Sequence, residues 1–305
     1  MEKTYFLILI FVLAIGCLSA DQNLIHKSIK VDGVERTYLL RIFSSYNGEK
    51  SVPLVFVLHG GGGNGKQMMN FTSFENLSEK DCFIVVYPDA YRKNWNDARN
   101  FLSSTIDDVK FFKMMIEQIS GEWKIDRKRI YATGISNGAM MCYTLACRMS
   151  ESFAAIAAVA GNHPENLKDQ MPASPVNVMI INGTKDPLVP YNGGAIKVFG
   201  RERGRVLSTD ETLRFWIKAN DCTEQISSVQ IPDRIKNDGS TVLVQSFRNP
   251  VNDVEVVLCK IENGGHTWPG TIQYLPESIV GKTNRDINAT GLIWEFFKKH
   301  KKEIK

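Results

Sequence analysis

Three residues of this chain have the types and surroundings needed for nucleophilic catalysis: Ser136, Asp186 and His266. Ser136 is the centre of Gly134-Ile135-Ser136-Asn137-Gly138, where a short apolar run meets a small-residue turn and then a helical pattern. A serine on a sharp strand-to-helix turn is held out where a substrate reaches it, and a side chain at either flanking glycine would collide with the neighbouring strand or helix. The helix N-terminus just beyond offers unpaired N–H groups and a positive dipole end to an oxyanion. The pentapeptide alone also fits an ordinary loop; its setting between a strand and a helix favours the nucleophile. Asp186 lies in Gly183-Thr184-Lys185-Asp186-Pro187, at the C-terminal end of an apolar run. A carboxylate there is placed to orient a histidine, and Pro187 fixes the chain just beyond it. Of the five histidines, His266 stands in the glycine-rich stretch Asn263-Gly264-Gly265-His266-Thr267-Trp268-Pro269-Gly270, directly after a predicted strand. A lone histidine is more often structural, but here Ser, Asp and His follow one another in the order used by enzymes built on a strand-turn-helix nucleophile. In such a trio the histidine takes the serine proton as the serine attacks a carbonyl.

The elements that must hold these residues are legible from hydrophobic patterning. Pro53-Leu54-Val55-Phe56-Val57-Leu58 is unbroken by polar residues, as a strand buried on both faces requires. It runs straight into His59-Gly60-Gly61-Gly62-Gly63, whose backbone N–H groups can approach a ligand closely and supply a second oxyanion donor; a flexible turn is the plainer reading. A helical stretch over 66–80 precedes another buried strand, Phe83-Ile84-Val85-Val86-Tyr87. An amphipathic helix over 105–119 carries Val109, Phe112, Ile116 and Ile119 on one face. Its first turn holds Asp107 and Asp108, for which helix capping is favoured over acid–base or metal chemistry. Apolar runs at 153–160 and 176–181, a helix at 209–219, a strand at 254–261 and a last helix from Asn288 continue the alternation. Two alternating runs around Asp32-Gly33 read as a hairpin. The fold class expected is therefore α/β, a mostly parallel doubly wound sheet with an antiparallel N-terminal edge.

Length and composition bound the rest. At 305 residues and 43% hydrophobic content the chain can bury one large core, expected over 21–305 as one catalytic domain. A formal net charge of +4 with scattered lysines does not suggest nucleic-acid binding. Residues 1–20 have the layout of a secretory signal, Lys3 followed by an apolar run over 6–15 and small residues to Ala20, too short to favour a spanning helix. Cleavage after Ala20 is one outcome; lipidation of Cys17, tethering the protein at the cell surface, is the alternative. Export permits disulfides among Cys82, Cys142, Cys147, Cys222 and Cys259. Cys142 and Cys147 lie about 140° apart around one helix and cannot bond without unwinding it. Asn70, Asn76 and Asn288 head glycosylation sequons.

Taken together, the His59 to Gly63 loop, the Gly134 to Gly138 turn, the Asp186 loop and the Gly264-Gly265-His266-Thr267-Trp268-Pro269-Gly270 stretch, in that order, resemble the secreted polyhydroxybutyrate depolymerase and feruloyl esterase group of α/β-hydrolases. Tyr87-Pro88-Asp89, Trp95-Asn96-Asp97 and Asp107-Asp108-Val109 match that group as well. The resemblance covers about residues 25 to 300. It implies an α/β-hydrolase fold and a serine carboxylesterase with no cofactor or metal, Ser136 as nucleophile, His266 as base and Asp186 as its orienting group. It also implies backbone N–H groups of Gly61 and Asn137 as oxyanion donors. Ester-bearing polysaccharide or polyester is the implied partner; between them, two tryptophans lead to an expectation of plant cell-wall esters, feruloyl above acetyl, over polyhydroxybutyrate. Trp95 and Trp268 are expected near the mouth of the site, where an indole can stack on a cinnamoyl ring or sugar face; for both, and above all Trp268, burial as a packing residue is the competing reading. One departure stands out: the group often has a cysteine in the loop before the histidine-bearing strand, whereas this loop reads Arg248-Asn249-Pro250-Val251-Asn252-Asp253. Cys259 is the expected substitute partner for Cys222. A serine peptidase of the same fold and a catalytically inactive glycan-binding or polyester-binding surface protein are the rival readings.

Overall fold

Apolar runs too short for core helices become the middle of one sheet, and the amphipathic stretches between them cover its two faces. The computed structural model describes residues 23–100, 106–198 and 200–303; the expected signal, with Cys17, lies outside the described residues. In chain order the elements are β1 (Leu24–Val31), β2 (Val34–Arg41), β3 (Val52–Leu58), α1 (Gly65–Thr72), α2 (Phe74–Asp81), β4 (Ile84–Pro88), α3 (Asp108–Glu122), β5 (Ile125–Ile135) and α4 (Asn137–Arg148). There follow β6 (Ala155–Val159), β7 (Asn177–Gly183), β8 (Gly194–Val198), β9 (Arg201–Val206), α5 (Thr209–Ala219), β10 (Glu224–Gln230), β11 (Thr241–Arg248), β12 (Glu255–Glu262), α6 (Glu277–Val280) and α7 (Ala289–Lys299).

Ten strands form the sheet in the order β1-β2-β4-β3-β5-β6-β7-β12-β11-β10. Strands β4, β3, β5, β6, β7 and β12 run parallel, and β1–β2 adds the expected antiparallel edge. Its turn places Asp32 at φ 47° and Gly33 at φ 85°, both positive as a tight hairpin turn demands. A second antiparallel edge, β11–β10, was not expected. The outermost strand, Glu224-Gln225-Ile226-Ser227-Ser228-Val229-Gln230, is solvent-exposed along almost its whole length, so no buried face imprints alternation on it.

Side chains alternate across the sheet into two cores. One face packs on α3, α4 and α5, with Phe56, Phe112, Leu145, Phe215 and Trp216 buried. The other packs on α1, α2 and α7, with Val57, Phe74, Trp268 and Phe297 buried. Two expectations are corrected here. The helix read over 66–80 is two helices, broken where Ser73 turns left-handed at φ 53°. The Cys222–Cys259 disulfide is absent: both thiols are free, as are those of Cys82, Cys142 and Cys147. Residues alternate faces along a strand, so Val256 and Leu258 join the core that holds Cys222, while Val257, Cys259 and Ile261 join the opposite one. The sheet itself stands between the two sulfurs.

Asp107 and Asp108 do structural work. Asp107 caps α3, its Oδ1 accepting from the Lys110 N–H at 2.9 Å. Asp108 is buried against Arg36 at 2.6 Å, and its other oxygen accepts from the Asn96 N–H at 2.7 Å. Burial, the dominant influence, raises the Asp108 pKa against the opposing pull of Arg36. Among the described residues, no helix is long and apolar enough to cross a membrane.

Candidate active site

Parallel strands end together, so the loops that follow β3, β5, β7 and β12 gather at one edge of the sheet, where ligands bind in open α/β sheets. Ser136 stands at the tip of β5 with φ 58° and ψ −121°, outside the conformations an L-residue prefers. Its N–H donates to Val159 O at 2.9 Å, which anchors the turn to β6. The flanking glycines are sterically required. A Cβ on Gly134 would lie 2.7 Å from the Gly138 carbonyl carbon and 2.9 Å from Leu58 Cβ, and one on Gly138 would lie 2.6 Å from Leu58 O. Only hydrogen at both positions lets β5 turn into α4 this sharply.

The expected oxyanion donors sit side by side. Asn137 opens α4, so its N–H has no helical carbonyl a turn earlier to pair with. Gly61 packs against it: a Cβ there would be 3.8 Å from Asn137 Cβ and 3.0 Å from Asn94 Oδ1. The glycine loop is fixed by Gly62 N–H donating to Lys93 O at 2.8 Å and by the imidazole of His59. His59 Nε2 accepts from the Ala90 N–H at 3.0 Å, so its Nδ1 carries the proton and donates to Gly60 O at 2.7 Å. Burial lowers the His59 pKa, which keeps this ring neutral. His59 is thus a brace for the loop.

On the opposite side, His266 Nδ1 donates to Asp186 Oδ2 at 2.7 Å, with side chains only 5% and 3% exposed. The remaining Asp186 oxygen accepts from the N–H groups of Leu188 and Val189, each at 2.8 Å. Bonds on both oxygens fix the carboxylate plane and leave the His266 Nε2 lone pair as the free face of the ring. The loop bearing His266 is held by backbone contacts: Lys185 N–H to Gly264 O at 2.9 Å, Gly265 N–H to Lys282 O at 2.8 Å and His266 N–H to Val280 O at 2.5 Å. Tyr274 Oη donates to His266 O at 3.0 Å, and burial, with Asp186 adding to it, pushes this phenol up to about 12. Among the described residues, no hydrogen bond joins Ser136 to His266; the contact completing the trio belongs to the proposal below.

The two tryptophans expected at the mouth of the site are corrected to interior residues, each 0% exposed. The Trp95 indole N–H donates to His59 O at 2.9 Å and its ring packs on His59 and Phe112. The Trp268 indole N–H donates to Thr290 Oγ1 at 3.0 Å, and Phe74 meets its ring edge-on. An indole whose N–H finds a buried acceptor is stable inside. Neither face is open to a substrate.

The structure gives a place at the site to Asp97, which the sequence offers only as part of a matching motif, and to Arg99, which it does not single out. Asp97 and Arg99 form a buried ion pair 2.7 Å apart, and Asp97 Oδ2 accepts from Asn137 Nδ2 at 2.6 Å. The available signal for Asp97 was Trp95-Asn96-Asp97 itself, a stretch that matches the family pattern without revealing what the carboxylate holds. Among the described residues, no group of His, Cys, Asp and Glu has a metal-binding arrangement.

Known proteins resemble the chain in sequence and in fold. The model of the family described as "Esterase PHB depolymerase" matches residues 38–198. The chain is similar to "Putative esterase NocK" of Nocardia uniformis subsp. tsuyamanensis, 27% identical over 288 residues that cover 91% of this chain and 83% of that one. It is also 27% identical to "Feruloyl esterase B" of Piromyces equi, over 76% of this chain but only 42% of the fungal protein's length. The acetyl xylan esterase structure from Aspergillus awamori superimposes with a TM-score of 0.54 over 77% of this chain and 92% of that one, at 13% identity. That likeness is one of fold, and the fold is the α/β-hydrolase fold.

Proposed function

The chain belongs to the esterase PHB depolymerase family, and we propose that this carboxylic ester hydrolase works through Ser136 as nucleophile, His266 as general base and Asp186 as the group that orients it. The observation that carries the reading is the 2.7 Å bond from His266 Nδ1 to a buried Asp186 carboxylate at the same sheet edge as the strained Ser136 turn. In the proposed reaction His266 Nε2 accepts the Ser136 hydroxyl proton while the serine oxygen bonds to the ester carbonyl carbon. The resulting oxyanion is received by the N–H groups of Gly61 and Asn137. The same proton then passes to the departing alcohol, and a water molecule, deprotonated by His266, releases the acid from Ser136. A single carboxylate that keeps His266 in one tautomer suffices for both halves.

For substrate, the proposal is a feruloyl or acetyl ester on plant cell-wall polysaccharide, met after export. Its support is the similarity to a protein named a feruloyl esterase; the buried indoles of Trp95 and Trp268 give it none. Polyester is the second reading, favoured by the family's description. One panel separates them: kcat/KM on methyl ferulate, acetylated xylan and hydroxybutyrate oligomers, with Ser136→Ala as the blank. The expected order is methyl ferulate first and the oligomers last, with Ser136→Ala at least about 10⁴-fold down on every active substrate. Turnover of the oligomers alone would replace the substrate, and near-normal turnover by a folded Ser136→Ala would remove the mechanism.

A further inference from the structure

A side chain at the first position of a helix is usually free to face solvent, but that of Asn137 is fully engaged. Its Oδ1 accepts from the Trp95 N–H at 2.7 Å, and its Nδ2 donates to Trp95 O at 3.1 Å and to Asp97 Oδ2 at 2.6 Å. Asp97 is in turn gripped by Arg99, whose Nε reaches both carboxylate oxygens at 3.0 and 2.9 Å, the two side chains being 0% and 3% exposed. Arg99 Nη1 donates to Arg203 O in β9 at 2.8 Å. The backbone of Gly204 lies against it so tightly that a Cβ there would be 2.7 Å from Arg99 Cβ. A continuous chain of contacts therefore runs from the β8–β9 hairpin to the residue whose N–H faces the oxyanion.

We propose that the buried Asp97–Arg99 pair is a positioning device for the oxyanion hole, holding Asn137 in place and linking that hold to the β8–β9 hairpin. The proposal rests on the reading of Asn137 as an oxyanion donor. Electrostatics explains why two residues are needed. A carboxylate accepting from Asn137 Nδ2 makes a stronger, charge-assisted bond than a neutral acceptor would, yet a bare negative charge beside a forming oxyanion would oppose it. The bidentate guanidinium cancels that charge, so Asn137 is gripped firmly and the oxyanion meets a nearly neutral pair. Arg99→Leu leaves the carboxylate buried and uncompensated, and Asp97→Ala removes the grip on Asn137; Asp97→Asn keeps a neutral acceptor and is milder.

The test uses the full-length enzyme and methyl ferulate. Arg99→Leu and Asp97→Ala are expected to lower kcat about 100-fold, as a misplaced group does, with KM within about twofold. Asp97→Asn restores part of the loss. A boronic acid that adds to Ser136 as a tetrahedral adduct is expected to lose affinity in parallel with kcat, while free ferulate, which forms no oxyanion, keeps its affinity. Gly204→Ala, outside the site, is expected to lower kcat about tenfold if the hairpin is linked. Loss of boronate and ferulate affinity together, or kcat losses that merely track the fall in melting temperature, would reduce the pair to scaffold. Unchanged kcat in Asp97→Ala beside an inactive Ser136→Ala would overturn this inference while leaving the esterase mechanism standing.

Discussion

The two walls of the site are fixed by different means. The oxyanion wall is joined by buried side chains: His59 to Gly60 and Ala90, Trp95 to His59, and Asn137 to Trp95 and Asp97. The histidine wall is joined through backbone, with Gly264, Gly265 and His266 hydrogen-bonded to Lys185, Lys282 and Val280. Side chains add to it through the Asp186–His266 bond, Asp186 Oδ1 accepting from the Leu188 and Val189 N–H groups, Thr184 Oγ1 accepting from the Asn263 N–H, and the Tyr274 and Thr267 hydroxyls donating to backbone carbonyls. The difference follows from what each wall must do. In the proposed reaction the oxyanion forms on one side, where donors have to be aimed in advance and kept from turning; on the other the ring has to keep its tautomer and orientation while it gains a proton, and the Asp186 carboxylate serves both needs.

The comparison breaks most severely at Asp186. Asp186→Asn preserves shape and both backbone bonds but can stabilise the wrong imidazole tautomer, so kcat on a short aryl ester is expected to fall about 10³- to 10⁴-fold. A loss below tenfold would mean His266 is oriented by something else. A methyl group on the histidine wall comes next. The Cβ of Gly265→Ala would meet Val280 O at 2.2 Å and Gly281 Cα at 2.5 Å, and backbone cannot swing aside as a side chain can. At least a tenfold fall in kcat with a lowered melting temperature is expected, and normal kinetics would show that this wall yields.

Behind the oxyanion wall, His163 sharpens the contrast in a pH experiment. Its ring is packed among Tyr143, Phe215 and Trp216, and neither ring nitrogen completes a hydrogen bond. Burial lowers its pKa from 6.5 to about 4, with the Leu167 backbone opposing. Above pH 6.5 the group is neutral both folded and unfolded. Between 6.5 and about 4 the unfolded chain binds a proton that the folded one refuses, so stability falls with falling pH, by about 3 kcal/mol in all. Below the folded pKa this contribution is lost completely. His163→Phe fills the same aromatic space without a titrating group. Its urea midpoint is therefore expected to decline less than wild type's between pH 7 and 4, and identical declines would clear His163 of the role.

How far the sequence carries depends on whether a residue's neighbours are local. Gly134 and Gly138 announce their purpose because the G-x-S-x-G spacing is itself local, although the Leu58 and His59 backbone that a Cβ would strike is distant in sequence, and Asp32-Gly33 does the same for the first hairpin. The unbroken apolar run before His59 identifies a central strand because both faces must be buried. Trp95 was placed wrongly because its partner, His59 O, is 36 residues away, and an indole at a loop position looks the same whether it points in or out. Ser73 gave no warning either: nothing in Asn70-Phe71-Thr72-Ser73-Phe74 forbids a continuous helix, and the left-handed turn is imposed by packing. Asp97 stands in a motif that matches the family but shows no role in sequence, and Arg99 carries no signal, until the fold buries them together.

The smallest effect is the most direct check on the cysteines. Cys222 and Cys259 lie on opposite faces of the sheet and every described thiol is free, so among the described residues no disulfide contributes to stability. Burial also pushes the Cys259 thiol up to about 12 and Cys222 up to about 11, so neither supplies much thiolate at neutral pH for exchange or oxidation. A reductant is therefore expected to leave the melting temperature unchanged to within about 1 °C, whereas a native disulfide is worth about 2–4 kcal/mol and its loss would shift the melt by several degrees. Cys222→Ser tests the same point through packing. The Cys222 sulfur lies 3.5 Å from Val254 O, and a hydroxyl there keeps a donor for that carbonyl, so the variant is expected to stay within about 1 kcal/mol of wild type. Joined Cys222 and Cys259 peptides in a non-reduced digest would contradict the arrangement of the sheet itself, because no rotamer carries a bond through it.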